Sequence, residues 1–307
     1  MSRILENPPA PGTPEWRGVI SASKVPAILG ISRFTSQFAM WHEMAGTVEP
    51  AGMDEDRADW GHCAEPALAE FWKLQNPGWL LNPAKRGVRE IAYTDDSLPF
   101  PNVATIDRRA MTRKVSPGHP GRFHVVECKT AATMDDWGRP GDADSIPMDY
   151  YAQVQFQLGV SGIPAASLVV LGPFQNPEIH EVTFDADLFA GIVDRCEKWV
   201  QSLNEGTPPP LDDSPATYEA IRGVHPDIEA GEVVEIDPAT ATQLLDAVAS
   251  EADGKRRARR AKIDATEMMG NAQYLKCGGV KIADRRSRAG GTPYVQFNKK
   301  AKELINE

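Results

Sequence analysis

The chain has 307 residues, 41% hydrophobic and 25% charged, the profile of an ordinary soluble globular protein long enough for one large domain plus an appendage, or for two domains. No apolar run approaches the roughly 20 residues that span a bilayer, and the Pro-rich start lacks a signal-peptide apolar region. The four cysteines, Cys63, Cys128, Cys196 and Cys277, form no Cys-x-x-Cys pair, which argues against a zinc or iron–sulfur centre and suits a reducing cytosol.

The net charge of −10 is unevenly spread. Residues 1–204 hold 18 basic and 26 acidic side chains, 205–254 hold 1 and 12, and 255–307 hold 14 and 5. An acidic belt therefore separates a mildly acidic body from a basic tail. Net charge does not exclude a nucleic-acid partner, because an acidic body is also how a cation-binding nuclease site looks before its ion is counted.

In chain order, residues 1–15 read as a disordered arm. A short helix follows Trp16–Lys24, with Ser21 or Ser23 as N-cap and Gly30 as its stop. Ser36–Ala45 forms a second helix closed by Gly46. From Asp54 to Leu74 an apolar stripe of Trp60, Ala64, Leu68, Phe71 and Trp72 recurs at helical spacing, and Glu65 borders it. Trp60, Trp72 and Trp199 read as core. Strand signals lie at Arg86–Tyr93, Val103–Asp107, Phe123–Lys129, Ser167–Leu171 and His180–Phe184. Helices are expected at Pro147–Val160 and Ala186–Leu203. This order gives an α/β fold, a central mixed sheet flanked by helices. Residues 205–236 read as a Pro-rich acidic linker. Residues 237–307 read as a long helix, Asp237–Gly270, and a small hairpin turning at Gly278 and Gly279.

The chemistry gathers on the strand from Arg122 to Thr130. On an extended backbone residues two apart share a face, so Glu127 and Lys129 point together. By itself Glu-x-Lys is a common surface charge pattern. If the upstream strand ending in Asp107 pairs with it as a hairpin, two carboxylates and a lysine converge. That makes an oxygen-lined site for Mg²⁺ or Mn²⁺, with a lysine beside it to act on water. On the Pro147–Val160 helix, Gln153 and Gln157 are four apart and share a face; they either contact a phosphate or water there, or face solvent. Arg108, Arg109, Arg113 and Lys114 follow Asp107 and either touch a DNA backbone or form a solvated hairpin loop.

Five blocks in this order, Gly18–Ser23, Trp60–Pro66, Thr105–Asp107, Glu127–Lys129 and Tyr150–Gln155, resemble the lambda-exonuclease/YqaJ-like viral recombinase family of the PD-(D/E)xK nuclease superfamily. The resemblance covers roughly residues 16–200, within a nuclease domain expected at 16–204. It implies that Asp107, Glu127 and the backbone carbonyl of Cys128 ligate the cation, and that Glu65 supports a second metal or a metal-bound water. Lys129 would orient or deprotonate the attacking water, and Gln153 matches the family's helix glutamine. Arg17, Ser23 and Thr105 would hold a 5′-terminal phosphate, with Gln153, Gln157, Arg108 and Arg109 nearby on DNA. The implied activity is a phage or prophage Mg²⁺-dependent 5′→3′ exonuclease on linear double-stranded DNA, with Mn²⁺ substituting. It would leave 3′ overhangs for a single-strand annealing protein, as a homo-oligomeric ring, a trimer by analogy, in the host cytoplasm. A structure- or site-specific endonuclease and a catalytically silent binding module are the alternatives, because fold analogy does not fix the substrate.

Overall fold

The computed structural model describes residues 1–307 apart from 51–54, 84–89, 174, 288–289, 299–300 and 306–307. The expected helix start at Asp54 and the expected strand start at Arg86 lie outside the described residues. The chain forms two compact units, Met1–Ile228 and Glu229–Glu307.

In the first unit, β1 (Ser2–Ile4), α1 (Pro14–Arg17), β2 (Ile20–Ser21), α2 (Val25–Ile28) and α3 (Gln37–Ala45) precede the long helix α4 (Glu55–Gln75). Then come β3 (Trp79–Leu81), β4 (Ile91–Asp95), β5 (Asn102–Ile106), β6 (Arg108–Thr112) and β7 (Phe123–Thr130). The unit is completed by α5 (Met148–Ser161), β8 (Ala165–Leu171), β9 (Glu178–Thr183), α6 (Ala186–Glu205) and α7 (Pro215–Val224). The strands make two mixed sheets, ordered β1-β4-β5-β2 and β3-β6-β7-β8-β9.

The expected α/β architecture is present, with one correction of pairing. The strand that leads to Asp107, β5, belongs to the first sheet and does not pair with β7. The hairpin partner of β7 is β6, in the register Arg108 opposite Val126. Asp107 is thus the single residue at which the chain passes from one sheet to the other, and continuing the register brings it level with Glu127. Sequence reading placed no strand at β6, because Arg108 and Arg109 break its apolar pattern, and left these residues either on a DNA backbone or in a solvated hairpin loop.

Alternation along β7 sends its side chains into two layers. Val125 packs with Val154, Phe156 and Leu158 of α5, whereas Val126 and Cys128 pack with Ala64, Leu68 and Trp72 of α4. Helix α5 is buried nearly all round, with Gln155 and Gln157 both 0% exposed. It is stopped by Gly162 in the left-handed region, φ +68°. A helix so enclosed must satisfy its polar side chains inside the protein. Gln155 does so by donating to Thr183 O at 2.8 Å and accepting from Asp185 N at 2.9 Å.

Four further expectations are corrected. Residues 2–4 are a strand rather than part of a disordered arm: Ser2 pairs with Asp95, and Arg3 reaches Asp96 at 2.8 Å. The cap of α2 is Lys24, while Ser21 and Ser23 hydrogen-bond each other at 3.0 Å. Trp60 is 60% exposed, because only the later turns of α4 meet the sheet, where Trp72 is 1% exposed. The stretch read as linker holds α7, capped by Ser214 and tied to α3 through Thr217 Oγ1 and Ser36 Oγ at 2.7 Å.

The second unit contains the expected long helix, α8 (Pro238–Met269), capped by Asp237, then β10 (Tyr274–Cys277), β11 (Val280–Arg286), β12 (Tyr294–Phe297) and α9 (Ala301–Ile305). Gly278 and Gly279 have φ +55° and +88°, the two positive values that a tight hairpin turn requires. Ala265 and Met269 of α8 pack with Ala283 and Val295 as a small core.

Candidate active site

Strand β7 brings Glu127 and Lys129 to one face, where Lys129 Nζ lies 2.9 Å from Glu127 Oε1. Glu127 is 2% exposed and takes two further donors from α5. Gln153 Nε2 donates to Oε1 at 3.0 Å, and Gln157 Nε2 donates to Oε2 at 3.0 Å. Gln157 also donates to the carbonyl of Thr105 at 2.9 Å, which fixes α5 against β5. Gln157 is buried and Gln153 half-buried, and both donate to the same carboxylate. They hold the acid.

Asp107 is oriented from the strand beside it, with Oδ2 accepting the Cys128 N–H at 2.8 Å. Its carboxyl is pushed well above the usual range, first by burial and then by the charges of Glu127 and Glu65, against the opposing pull of Lys129. Glu65 approaches from α4. Its Oε1 meets His62 Nδ1 at 3.2 Å, and its backbone carbonyl accepts the Cys128 thiol at 3.6 Å. The site thus lies at a sheet end between two helix layers, with glutamines on one side and Glu65 on the other.

Burial alone lowers the Lys129 pKa, but Glu127 and Asp107 outweigh it and hold the group above its ordinary value. The two acids favour its charged form, which suits it to stabilising a developing oxyanion. The Cys128 thiol is pushed well up by burial and then by the surrounding acids, so it is no nucleophile.

Among the described residues no group of three or more His, Cys, Asp or Glu is arranged to hold a metal ion. A set of two carboxylates and a backbone carbonyl is nonetheless what Mg²⁺ accepts, because it keeps several of its waters. An ionised carboxylate offers about four acceptor positions. Glu127 uses three and Asp107 one, so both retain capacity for a cation. The mutual repulsion that raises Asp107 is what a bound cation would relieve. The residues fit a hard divalent ion.

Residues 15–164, which contain all of these groups, match the profile of the YqaJ-like viral recombinase domain. The chain carries a YqaJ-like viral recombinase domain. It is 24% identical over 235 residues to the uncharacterized protein YqaJ of Bacillus subtilis, covering 75% of this chain and 67% of that one. Among solved structures it is similar to an alkaline exonuclease from Laribacter hongkongensis, 14% identical with a TM-score of 0.43, covering 63% of this chain and 94% of that one. A phage-related exonuclease from Haemophilus somnus is 11% identical with a TM-score of 0.38, covering 61% and 96%.

Within the YqaJ-like domain the residues expected around a terminal phosphate fall into two groups. β2 runs parallel to β5 with Ser21 opposite Val103; Ser23 lies in the turn after β2 and Thr105 near the end of β5, both exposed. Arg17 is ion-paired to Glu49 at 2.5 Å. Arg108 is 2% exposed and donates to the side chain and carbonyl of Asn82, so burial removes it from any duplex surface. Arg109 donates to Tyr93 Oη at 3.0 Å with its guanidinium over Phe123. Both arginines brace the sheet, Arg108 from a buried position and Arg109 from a half-buried one.

Sequence reading passed over Lys24. It is 1% exposed, and its Nζ donates to the carbonyls of Trp16, Val19 and Arg17 at 2.5, 2.9 and 3.3 Å. Burial pulls its pKa down to about 8, against the charge of Glu43. It ties the loop from Trp16 to Ser23 into a fixed shape. The signal was a lone lysine between two apolar runs, Val19–Ile20 and Val25–Ile28.

Proposed function

We propose that this chain is a metal-dependent deoxyribonuclease of phage or prophage origin that digests linear double-stranded DNA from its ends. The observation that carries the proposal is the convergence of Asp107, Glu127 and Lys129 at one sheet end, with Gln153 and Gln157 fixing Glu127 and Glu65 closing the far side. Asp107, Glu127 and the Cys128 carbonyl would hold Mg²⁺, or Mn²⁺ in its place, and Glu65 would steady a second ion or its water. Bound there, such an ion would supply a water of lowered pKa and offset phosphoryl charge. The Lys129 ammonium stabilises the charge that develops on the phosphate. Gln153 and Gln157 keep Glu127 in the one orientation that serves both lysine and ion.

The exposed hydroxyls of Ser23, after β2, and Thr105, on the neighbouring strand β5, would line a pocket for the 5′-terminal phosphate, with Arg17 as its arginine. The polarity that follows is 5′→3′, leaving 3′ overhangs for a single-strand annealing protein in the host cytoplasm, with the enzyme as a ring, a trimer by family analogy. Duplex labelled separately at the 5′ and 3′ ends tests this. In Mg²⁺ the 5′ label is released first and covalently closed circles stay intact, while Asp107→Ala releases neither. Nicking of closed circles would instead make it an endonuclease, and persistence of linear duplex would overturn the reading.

A further inference from the structure

Helix α8 carries an apolar stripe that its own unit leaves open. Leu244, Leu245, Val248 and Ile263 are 57, 70, 67 and 53% exposed. Leu245 and Ile263 are five turns apart at about 3.6 residues per turn and so lie on one face, with Val248 and Ala252 between them. The side of the helix that packs on the hairpin is a different one, since Ala265 lies about 200° round from Ile263.

Charge along the helix is segregated. Residues 237–253 hold four acids and no base, and residues 255–262 hold six bases and no acid. The change of sign falls at Gly254. Some of these bases pair within the helix, Lys255 with Glu251 at 2.6 Å and Arg257 with Asp253 at 3.0 Å. All four side chains are 37% exposed or more, so the pairs are weak and exchangeable.

We propose that α8 is a self-association surface on which a second copy of this chain docks antiparallel, about a twofold axis level with Gly254 along the helix. That pairing sets Leu245 against Ile263 of the other copy. It also lays the acidic half of each helix, residues 237–253, along the basic run 255–262 of the other. A parallel pairing would stack acids on acids and bases on bases, so charge selects the antiparallel one. The arginine and lysine stems extend the apolar seam beyond the short leucine and valine stripe. The contact is isologous, each copy giving the same patch, and it stands independently of the nuclease reading.

The test uses the full chain with its two exposed thiols removed, Cys63→Ser and Cys277→Ser. Leu245→Cys and Ile263→Cys chains are mixed and oxidised. The expected product is a disulfide between the two different chains, formed at least tenfold faster than self-pairing of either. A Gly254→Cys control on the opposite face gives none. Faster self-pairing of the Leu245→Cys chain, or no mixed disulfide above the control, overturns the proposal. A second readout is mass by sedimentation. Leu245→Glu with Val248→Glu, its helicity checked by circular dichroism, should halve the assembly, and an unchanged mass would also overturn the proposal.

Discussion

At the scale of single residues, Glu127 is the group around which the site is arranged, because each of its oxygens is already held by a neighbour. Removing Gln157 strands both Glu127 Oε2 and the Thr105 carbonyl, whereas removing Gln153 leaves Lys129 still bound to Oε1. Gln157→Leu should therefore destabilise the fold by about 1–3 kcal/mol, lowering the melting temperature by about 2–4 °C per kcal/mol. Gln153→Leu should cost less. Equal melting curves for the two variants would show that Gln157 does not hold the acid. Lys129→Met should reduce turnover by about 10²- to 10³-fold. Mg²⁺ affinity in calorimetry should stay the same or tighten, because the ammonium competes with the ion for Glu127.

At the scale of elements, close packing decides signs that propensity would get wrong. Gly159 lies inside α5, where alanine is normally better by about 1 kcal/mol. A Cβ there would collide with the ring of Phe189 on α6. Gly159→Ala should instead destabilise by roughly 1–3 kcal/mol, read by thermal melting. A gain in stability would mean that the two helices can part freely.

Strand β7 carries a second test. His124 is buried, stacked on Trp72 at 5.6 Å, with Nε2 on Ser167 Oγ at 2.8 Å, and burial lowers its pKa to about 4. The folded chain thus favours the neutral ring, and its contribution is whole above the unfolded value of about 6.5. It is lost as pH falls from 6.5 toward 4, by up to about 3 kcal/mol. Exposed Glu181, 3.7 Å away, tempers the loss. His124→Gln should flatten the stability curve between pH 6.5 and 4, and an unchanged slope would assign the acid sensitivity elsewhere.

These elements differ in how far the sequence disclosed them. β7 and α5 were legible from their apolar patterns, and α8 from a long run of helix-forming residues between Pro238 and Gly270. β6 was not, since the buried Arg108 reads as a surface residue until Asn82 supplies its partner. α7 was hidden by acidic, Pro-rich flanks, although Ser214 followed by Pro215 is a readable helix start. For the site, spacing alone placed Glu127 and Lys129 together and put Gln153 and Gln157 on one face. It could not show that the glutamines turn inward, because that depends on α5 being enclosed on both sides.

At the scale of the molecule, the two units carry separate cores. The clusters that support the candidate site use residues of Met1–Ile228 only, and the small core of the second unit uses residues 265–297. A chain ending at Ile228 should therefore fold, unfold cooperatively and retain its site chemistry. Insolubility of that fragment would show that the second unit is needed for the first to fold. The central claim is narrower than this and more direct: Asp107 and Glu127 together hold the cation on which hydrolysis depends. Its measurement is calorimetric titration of Mn²⁺ into the intact protein, Asp107→Ala and Glu127→Ala, paired with Mg²⁺-dependent digestion of linear duplex by the same samples. The account predicts saturable binding and digestion in the intact protein and the loss of both in each variant. Undiminished binding with undiminished digestion in either variant would contradict it.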